Sequence, residues 1–155
     1  MVGNPRPRIL IVDDDVLVHS AIRNVLEYQG YVVSVATDGG AGLRILETAD
    51  FDLVIVDIFM PGMDGLETVR VLHRRLPEVP IIIMSGLTFR TPAFGSVAVP
   101  DFLSMALEFG AAYALHKPFA PDALLKAIEA CLPADERSST QPDSGRTAAA
   151  PSRQR

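Results

Sequence analysis

Two apolar runs of strand length end in acids. Ile9-Leu-Ile-Val is followed by Asp13-Asp14-Asp15, and Leu53-Val-Ile-Val by Asp57. A hydroxyl, Ser85, follows a third run, Ile81-Ile-Ile-Met, and an amine, Lys117, follows a weaker fourth, Ala112-Tyr-Ala-Leu-His. Two carboxylates 4 Å apart repel by about 4 kcal/mol at an effective dielectric near 20, so Asp13, Asp14 and Asp57 can be neighbours only with compensation. A hard cation such as Mg²⁺ supplies it through one or two carboxylates, backbone carbonyls and retained waters. Lys117 supplies a second positive charge suited to phosphate oxygens, and Ser85 a hydroxyl donor for the same oxygens. A carboxylate can be a nucleophile, and a phosphoryl group passing onto Asp57 needs little beyond positioning and charge neutralisation. Taken singly, each group has a plainer reading. Asp14 or Asp15 suits a helix N-cap, Asp57 a turn, Ser85 a loop and Lys117 the surface. Their joint placement at strand ends is what points to one site.

The elements that must position these groups are legible in the hydrophobic spacing. Strands are predicted at Arg8–Val12, Tyr31–Ala36, Leu53–Val56, Ile81–Met84 and Ala112–His116. Between them, apolar residues recur at helical spacing: Val18, Ala21, Ile22, Val25 and Leu26; Ala41 to Glu47; Leu66, Val69 and Leu72; Phe102, Met105, Ala106 and Phe109; Leu124, Ala127, Ile128 and Cys131. Gly30 and Gly110 stop the first and fourth helices, Asp38-Gly39 reads as a turn, and Pro121 suits the first turn of the last helix. Alternating strands and helices predict an α/β fold with a parallel sheet. The near-continuous apolar first, third and fourth strands predict burial on both faces. Ligands of such sheets bind at the carboxyl ends of strands, where Asp13, Asp14, Asp57, Ser85 and Lys117 all fall.

Composition narrows the classes. The 155 residues suit one domain with a tail, and 48% hydrophobic residues suffice for a full core. A formal charge of −5 argues against non-specific nucleic-acid binding, which depends on excess Lys and Arg. No apolar run reaches the roughly 20 residues of a membrane helix, and no signal peptide is apparent. Cys131 is the sole cysteine, which suits a reducing cytoplasm and a core thiol. Residues 1–7 read as a flexible start and 8–132 as the folded domain. Residues 133–155, rich in Ser, Thr, Pro, Gln, Ala and Arg, read as a disordered tail. The tail carries four Arg against three acids. It reads as a solvated segment, with a basic contact arm as the alternative. It is too short for an appended DNA-binding or enzymatic domain.

Five motifs in order carry a family resemblance. Ile-Leu-Ile-Val-Asp13-Asp14-Asp15, Asp57-Ile-Phe-Met-Pro61-Gly62-Met-Asp64-Gly65, Ile-Ile-Ile-Met-Ser85-Gly86, Gly110-Ala111 and Lys117-Pro118-Phe119 resemble the receiver domain of two-component response regulators. The resemblance implies a flavodoxin-like, doubly wound five-stranded parallel sheet of order 2-1-3-4-5 with five helices. It implies Asp57 as phosphoacceptor, with Asp14, Asp57 and the carbonyl of Phe59 binding Mg²⁺ directly and Asp13 acting through water. Ser85 and Lys117 would hold the phosphoryl oxygens, and the Lys117–Pro118 bond would be cis. The implied partners are a histidine kinase or histidine phosphotransfer protein and a separate downstream protein. Neither nucleic acid nor membrane is expected as a partner, and the chain would be a monomer or weak homodimer. It would promote its own phosphorylation and dephosphorylation rather than turn over a substrate as an enzyme.

Three departures from the family stand out. Receivers usually carry Tyr or Phe three residues before the lysine, where this chain has Ala114, with Tyr113 one step earlier on the opposite face. The stretch from Ser85 to Gly110 is about ten residues longer than in common receivers, a length associated with function in loops. Phe89, Arg90 and Phe94 are its candidate contact residues, completing a switch surface with Ser85, Tyr113 and Ala114. Phe59 and Leu87, two residues after Asp57 and Ser85, should shield an aspartyl-phosphate from water and slow its decay. His19, His73 and His116 are not spaced as a metal cluster; His19 lies on the helix where receivers dock their phosphodonor. The residues leave two other readings open. One is a receiver-like binding module that acts without phosphorylation. The other is a phosphohydrolase of the haloacid dehalogenase type, which lacks its later acidic pair and leaves Asp57-x-x-x-Pro61-Gly62 unexplained.

Overall fold

The computed structural model describes residues 5–59, 65–86 and 102–133. Phe89, Arg90, Phe94, Leu87 and the Pro61–Gly62–Asp64 motif lie outside the described residues, as does the tail from 134 onward. Five strands alternate with five helices: β1 (Arg8–Val12), α1 (Val16–Tyr28), β2 (Val32–Ala36), α2 (Gly39–Thr48), β3 (Leu53–Asp57), α3 (Gly65–Arg75), β4 (Ile81–Ser85), α4 (Phe102–Glu108), β5 (Tyr113–His116) and α5 (Pro121–Cys131). The strands form one sheet in the order β2-β1-β3-β4-β5, and all four pairings are parallel. The alternation predicts the parallel α/β sheet, and the family resemblance implies this doubly wound order.

Two core layers cover the two faces of the sheet. Ile9, Ile11, Leu53, Ile55, Ile82, Met84 and Leu115 face α1 and α5, meeting Ile22, Leu26, Leu124 and Ile128. Leu10, Val12, Val54, Val56, Ile81 and Ile83 face the opposite way, against Val69, Leu72 and Ala106 of α3 and α4. Every residue of β3 and β4 is buried, which is why these runs are apolar throughout rather than alternating. Each such aliphatic side chain contributes about 1.5–3 kcal/mol of hydrophobic stabilisation.

The helix ends explain the differences from the sequence reading. Asp15 caps α1, accepting hydrogen bonds from the N–H groups of Leu17 and Val18. Asp38-Gly39 is not a free turn. The Asp38 carboxylate accepts from the Ala41 N–H at 2.7 Å, so α2 begins at Gly39. The α1 helix stops at Tyr28, and Gly30 takes a φ of +91° to redirect the chain, so Tyr31 falls before β2 rather than within it. Asp57 and Ser85 are the last residues of β3 and β4 rather than residues just beyond them. Both therefore inherit the register of the sheet.

Candidate functional site

At the carboxyl ends of β1, β3 and β5, four of the five predicted polar groups come into one cluster. Carboxylate oxygens of Asp13, Asp14 and Asp57 lie within 4.8 Å of one another. Asp13 is fully buried and Asp57 nearly so, while Asp14 is exposed. The Lys117 Nζ donates to Asp57 Oδ2 at 2.9 Å and to Asp13 Oδ2 at 3.2 Å. The two remaining oxygens are held by the backbone. The Asp15 N–H donates to Asp13 Oδ1 at 2.8 Å, and the Phe59 N–H to Asp57 Oδ1 at 3.0 Å. Both carboxylates are thus oriented from two sides.

The electrostatics are those of an under-compensated acidic site. Burial raises the Asp13 pKa, and the neighbouring Asp57 charge adds to that; the Asp15 N–H and Lys117 only partly oppose it. Burial works against the Lys117 ammonium, but the hydrogen bonds and charges of Asp57 and Asp13 outweigh it and raise the amine above its ordinary range. One cation therefore serves three acids. The exposed face of the cluster, at Asp14, fits a hard divalent ion. The donors are all oxygen, their spread matches a single coordination sphere, and a net negative charge remains to be neutralised.

Ser85 stands at the same rim. The residue is 5% exposed, and its carbonyl accepts from the Lys117 N–H at 2.7 Å. The pairing of β4 with β5 thus aligns the hydroxyl-bearing residue with the lysine. The Lys117–Pro118 bond is cis. Phe59 packs half-buried on the α3–α4 side of the core. Ala114 packs on that same side while Tyr113 is 41% exposed, so the one-residue offset does place the two on opposite faces.

Two contacts go beyond what the motifs imply. Gly65, the last residue of the Asp57–Gly65 motif, sits where a Cβ would collide with the Asp57 carbonyl and the Ile58 backbone. Its N–H donates to the Ile58 carbonyl at 3.0 Å, so the start of α3 is seated directly on the backbone of Asp57. His73 packs its ring against Gly110, whose φ is +111°. The histidine therefore fills the junction of α3 and the end of α4. Neither contact has a signature beyond the residue types. Among the described residues, the His19 Nε2 on α1 is buried without a hydrogen-bond partner. Cys131 is half-buried against the core, and burial raises its thiol pKa.

The chain is similar to known proteins along most of its length. A profile of the response regulator receiver domain matches residues 9–129. The response regulator MprA of Mycolicibacterium vanbaalenii is 37% identical over 138 residues, covering 89% of this chain and 53% of that protein. A protein-glutamate methylesterase/protein-glutamine glutaminase of Trichodesmium erythraeum is 38% identical over 127 residues, covering 81% of this chain and 34% of that protein. The chain thus spans about half the length, or less, of these curated relatives. A CheY-like receiver domain of Methanospirillum hungatei superposes with a TM-score of 0.71 at 32% identity, covering 81% of this chain and 93% of that one. The chemotaxis protein CheY4 of Vibrio cholerae gives 0.72 at 29% identity, covering 83% and 100%.

Proposed function

This chain belongs to the family of response regulator receiver domains, and from that premise we propose that it works as a phosphorylation switch with Asp57 as the acceptor. The observation that carries the reading is the Lys117 bridge: one ammonium spans Asp57 and Asp13 at the rim of the sheet. The donor is a histidine kinase or histidine phosphotransfer protein, the family's phosphoryl source. A downstream protein reads the outcome, in the cytoplasm where that signalling chemistry runs. Among the described residues no helix is long and apolar enough to cross a membrane.

In the transfer, a carboxylate oxygen of Asp57 forms a bond to phosphorus as the P–N bond of the donor phosphohistidine breaks. The electron pair of that bond stays on the imidazole nitrogen. The Phe59 N–H holds Asp57 in orientation. Lys117, already at 2.9 Å from the carboxylate, stands where negative charge builds on the phosphoryl oxygens. Ser85 supplies a hydroxyl to the same oxygens, and Asp13 keeps the lysine from swinging away. Asp13, Asp14, Asp57 and the Phe59 carbonyl are the groups that would hold Mg²⁺. When bound, the ion neutralises the acids and the incoming phosphoryl charge. The phosphorylated residue carries about −1.5 to −2 charges and three new acceptor oxygens, enough to re-aim its neighbours.

The test is incubation with acetyl phosphate and Mg²⁺, followed by intact-mass analysis. One phosphoryl group should add to the wild-type chain and none to Asp57→Asn. A modified Asp57→Asn protein, or an unmodified wild type under conditions that label a known receiver, would overturn the assignment. Binding to a downstream protein that is the same for wild type and Asp57→Asn would instead favour the phosphorylation-independent module.

A further inference from the structure

Phe51 and Asp52 lead into β3, Glu78, Val79 and Pro80 lead into β4, and α5 ends at Cys131. Together they line a cleft of about 230 Å³ at the amino-terminal pole of the sheet, at the far end of β3 from Asp57. Backbone hydrogen bonds hold its walls. The Asp52 N–H donates to the Arg8 carbonyl at 2.8 Å, the Val54 N–H to the Pro80 carbonyl at 3.1 Å and the Val79 N–H to the Leu76 carbonyl at 3.1 Å. The cleft is therefore built into the fold, as small-ligand sites usually are. We infer that it binds an organic cation, a guanidinium or primary ammonium group on a short aliphatic stem.

The cleft is negative and its charge is uncompensated. Asp52 Oδ2 accepts from the Arg8 N–H at 2.7 Å, a neutral donor that leaves the carboxylate charge in place. Among the described residues, neither Asp52 nor Glu78 enters an ion pair. Arg8 sets its guanidinium over the Phe51 ring instead, 5.1 Å from the centroid. Burial raises the Cys131 thiol pKa, so that wall stays neutral. Anions are therefore repelled, whereas an incoming cation gains charge-assisted hydrogen bonds, roughly twice as strong as neutral ones. The remaining walls are apolar. Phe51 is buried, and Val79 and Pro80 are half-buried. They suit a run of methylene groups, as apolar surfaces suit the stems of Lys and Arg. Size sets the class of ligand. Drug-sized molecules fill about 300–1,000 Å³, so this smaller cleft fits a group on the scale of an arginine side chain or a short alkylguanidine.

The test titrates the full chain with n-butylguanidine and, in parallel, with its neutral isostere n-butylurea. Amide NMR should show saturable shifts at Phe51, Asp52, Glu78, Val79 and Cys131 with the guanidine, and about tenfold weaker binding of the urea. Glu78→Gln and Asp52→Asn should each weaken the guanidine several-fold. The Asn carbonyl can still accept from the Arg8 N–H, and unchanged amides at Asp13, Asp57 and Lys117 report an intact fold. A second arm identifies the source of the cation. Four arginines follow Pro133, which also lines the cleft. They are replaced together, as Arg137→Gln, Arg146→Gln, Arg153→Gln and Arg155→Gln. Tighter binding of the guanidine by that variant means that the chain's own arginines compete for the cleft, and unchanged binding means that the cation comes from another molecule. Either result supports the site. Shifts outside the cleft, equal binding of the urea, or indifference to both carboxylate substitutions overturns it, and none of these outcomes bears on the phosphorylation of Asp57.

Discussion

Replacing Asp13 by Asn should stabilise the metal-free protein while weakening its response to Mg²⁺. With the three carboxylates inside 4.8 Å of one another, each repulsion on Asp13 is about 3.5 kcal/mol or more at an effective dielectric near 20. The attraction of Lys117 at 3.2 Å offsets about 5 kcal/mol on the same scale. The exposed Asp14 is partly screened by solvent, which trims its share. Full burial of Asp13 adds a desolvation cost in the opposite direction. The balance is a net cost of about 1–2 kcal/mol for the ionised Asp13, which an isosteric amide removes. The Asn carbonyl can still accept from the Asp15 N–H. For a domain of this size that energy corresponds to a rise of about 3–8 °C in melting temperature. The raised Asp13 pKa agrees in sign. A carboxyl favoured in its protonated form by the fold contributes stability below its ordinary pKa and loses it as pH rises through the folded value. Thermal melts of both proteins, in chelator and over a Mg²⁺ series, measure both effects. Asp13→Asn melting at or below wild type in chelator, with its Mg²⁺ stabilisation intact, would refute the reasoning.

Further predictions concern the other members of the site. Lys117 has a raised pKa, so its ion pairs stabilise fully below the ordinary lysine range and are lost as pH climbs above it. Wild-type stability should therefore fall in alkaline denaturation melts above about pH 10.5, and Lys117→Met should be less stable at neutral pH and lack that component. Gly65→Ala forces a methyl onto the Asp57 carbonyl and should cost about 1–3 kcal/mol in urea unfolding. It should also slow phosphorylation by acetyl phosphate; unchanged stability would show that α3 can shift freely. Phe59→Asn should speed loss of the phosphoryl group, because a polar side chain two residues from Asp57 admits and orients water. Equal decay rates in Mg²⁺ would count against shielding by the ring.

The alternation of elements, the parallel sheet and the acids at strand ends were all legible in the sequence, because they are local. Apolar periodicity reports which face a residue buries, and a polar residue ending an apolar run must leave the sheet at its rim. Element ends were less legible. Whether Asp38 makes a turn or a cap depends on one hydrogen bond to Ala41, and whether Asp57 and Ser85 close their strands depends on the partner strands they pair with. The cluster itself is a tertiary product. Lys117 reaches Asp13 across 104 residues and Asp57 across 60, distances over which only the strand order can bring side chains together. The fit of Gly65 on Asp57 belongs to the same class. Residue types are chosen one position at a time, whereas close approach and cross-strand neighbourhood exist only once the sheet has fixed its register.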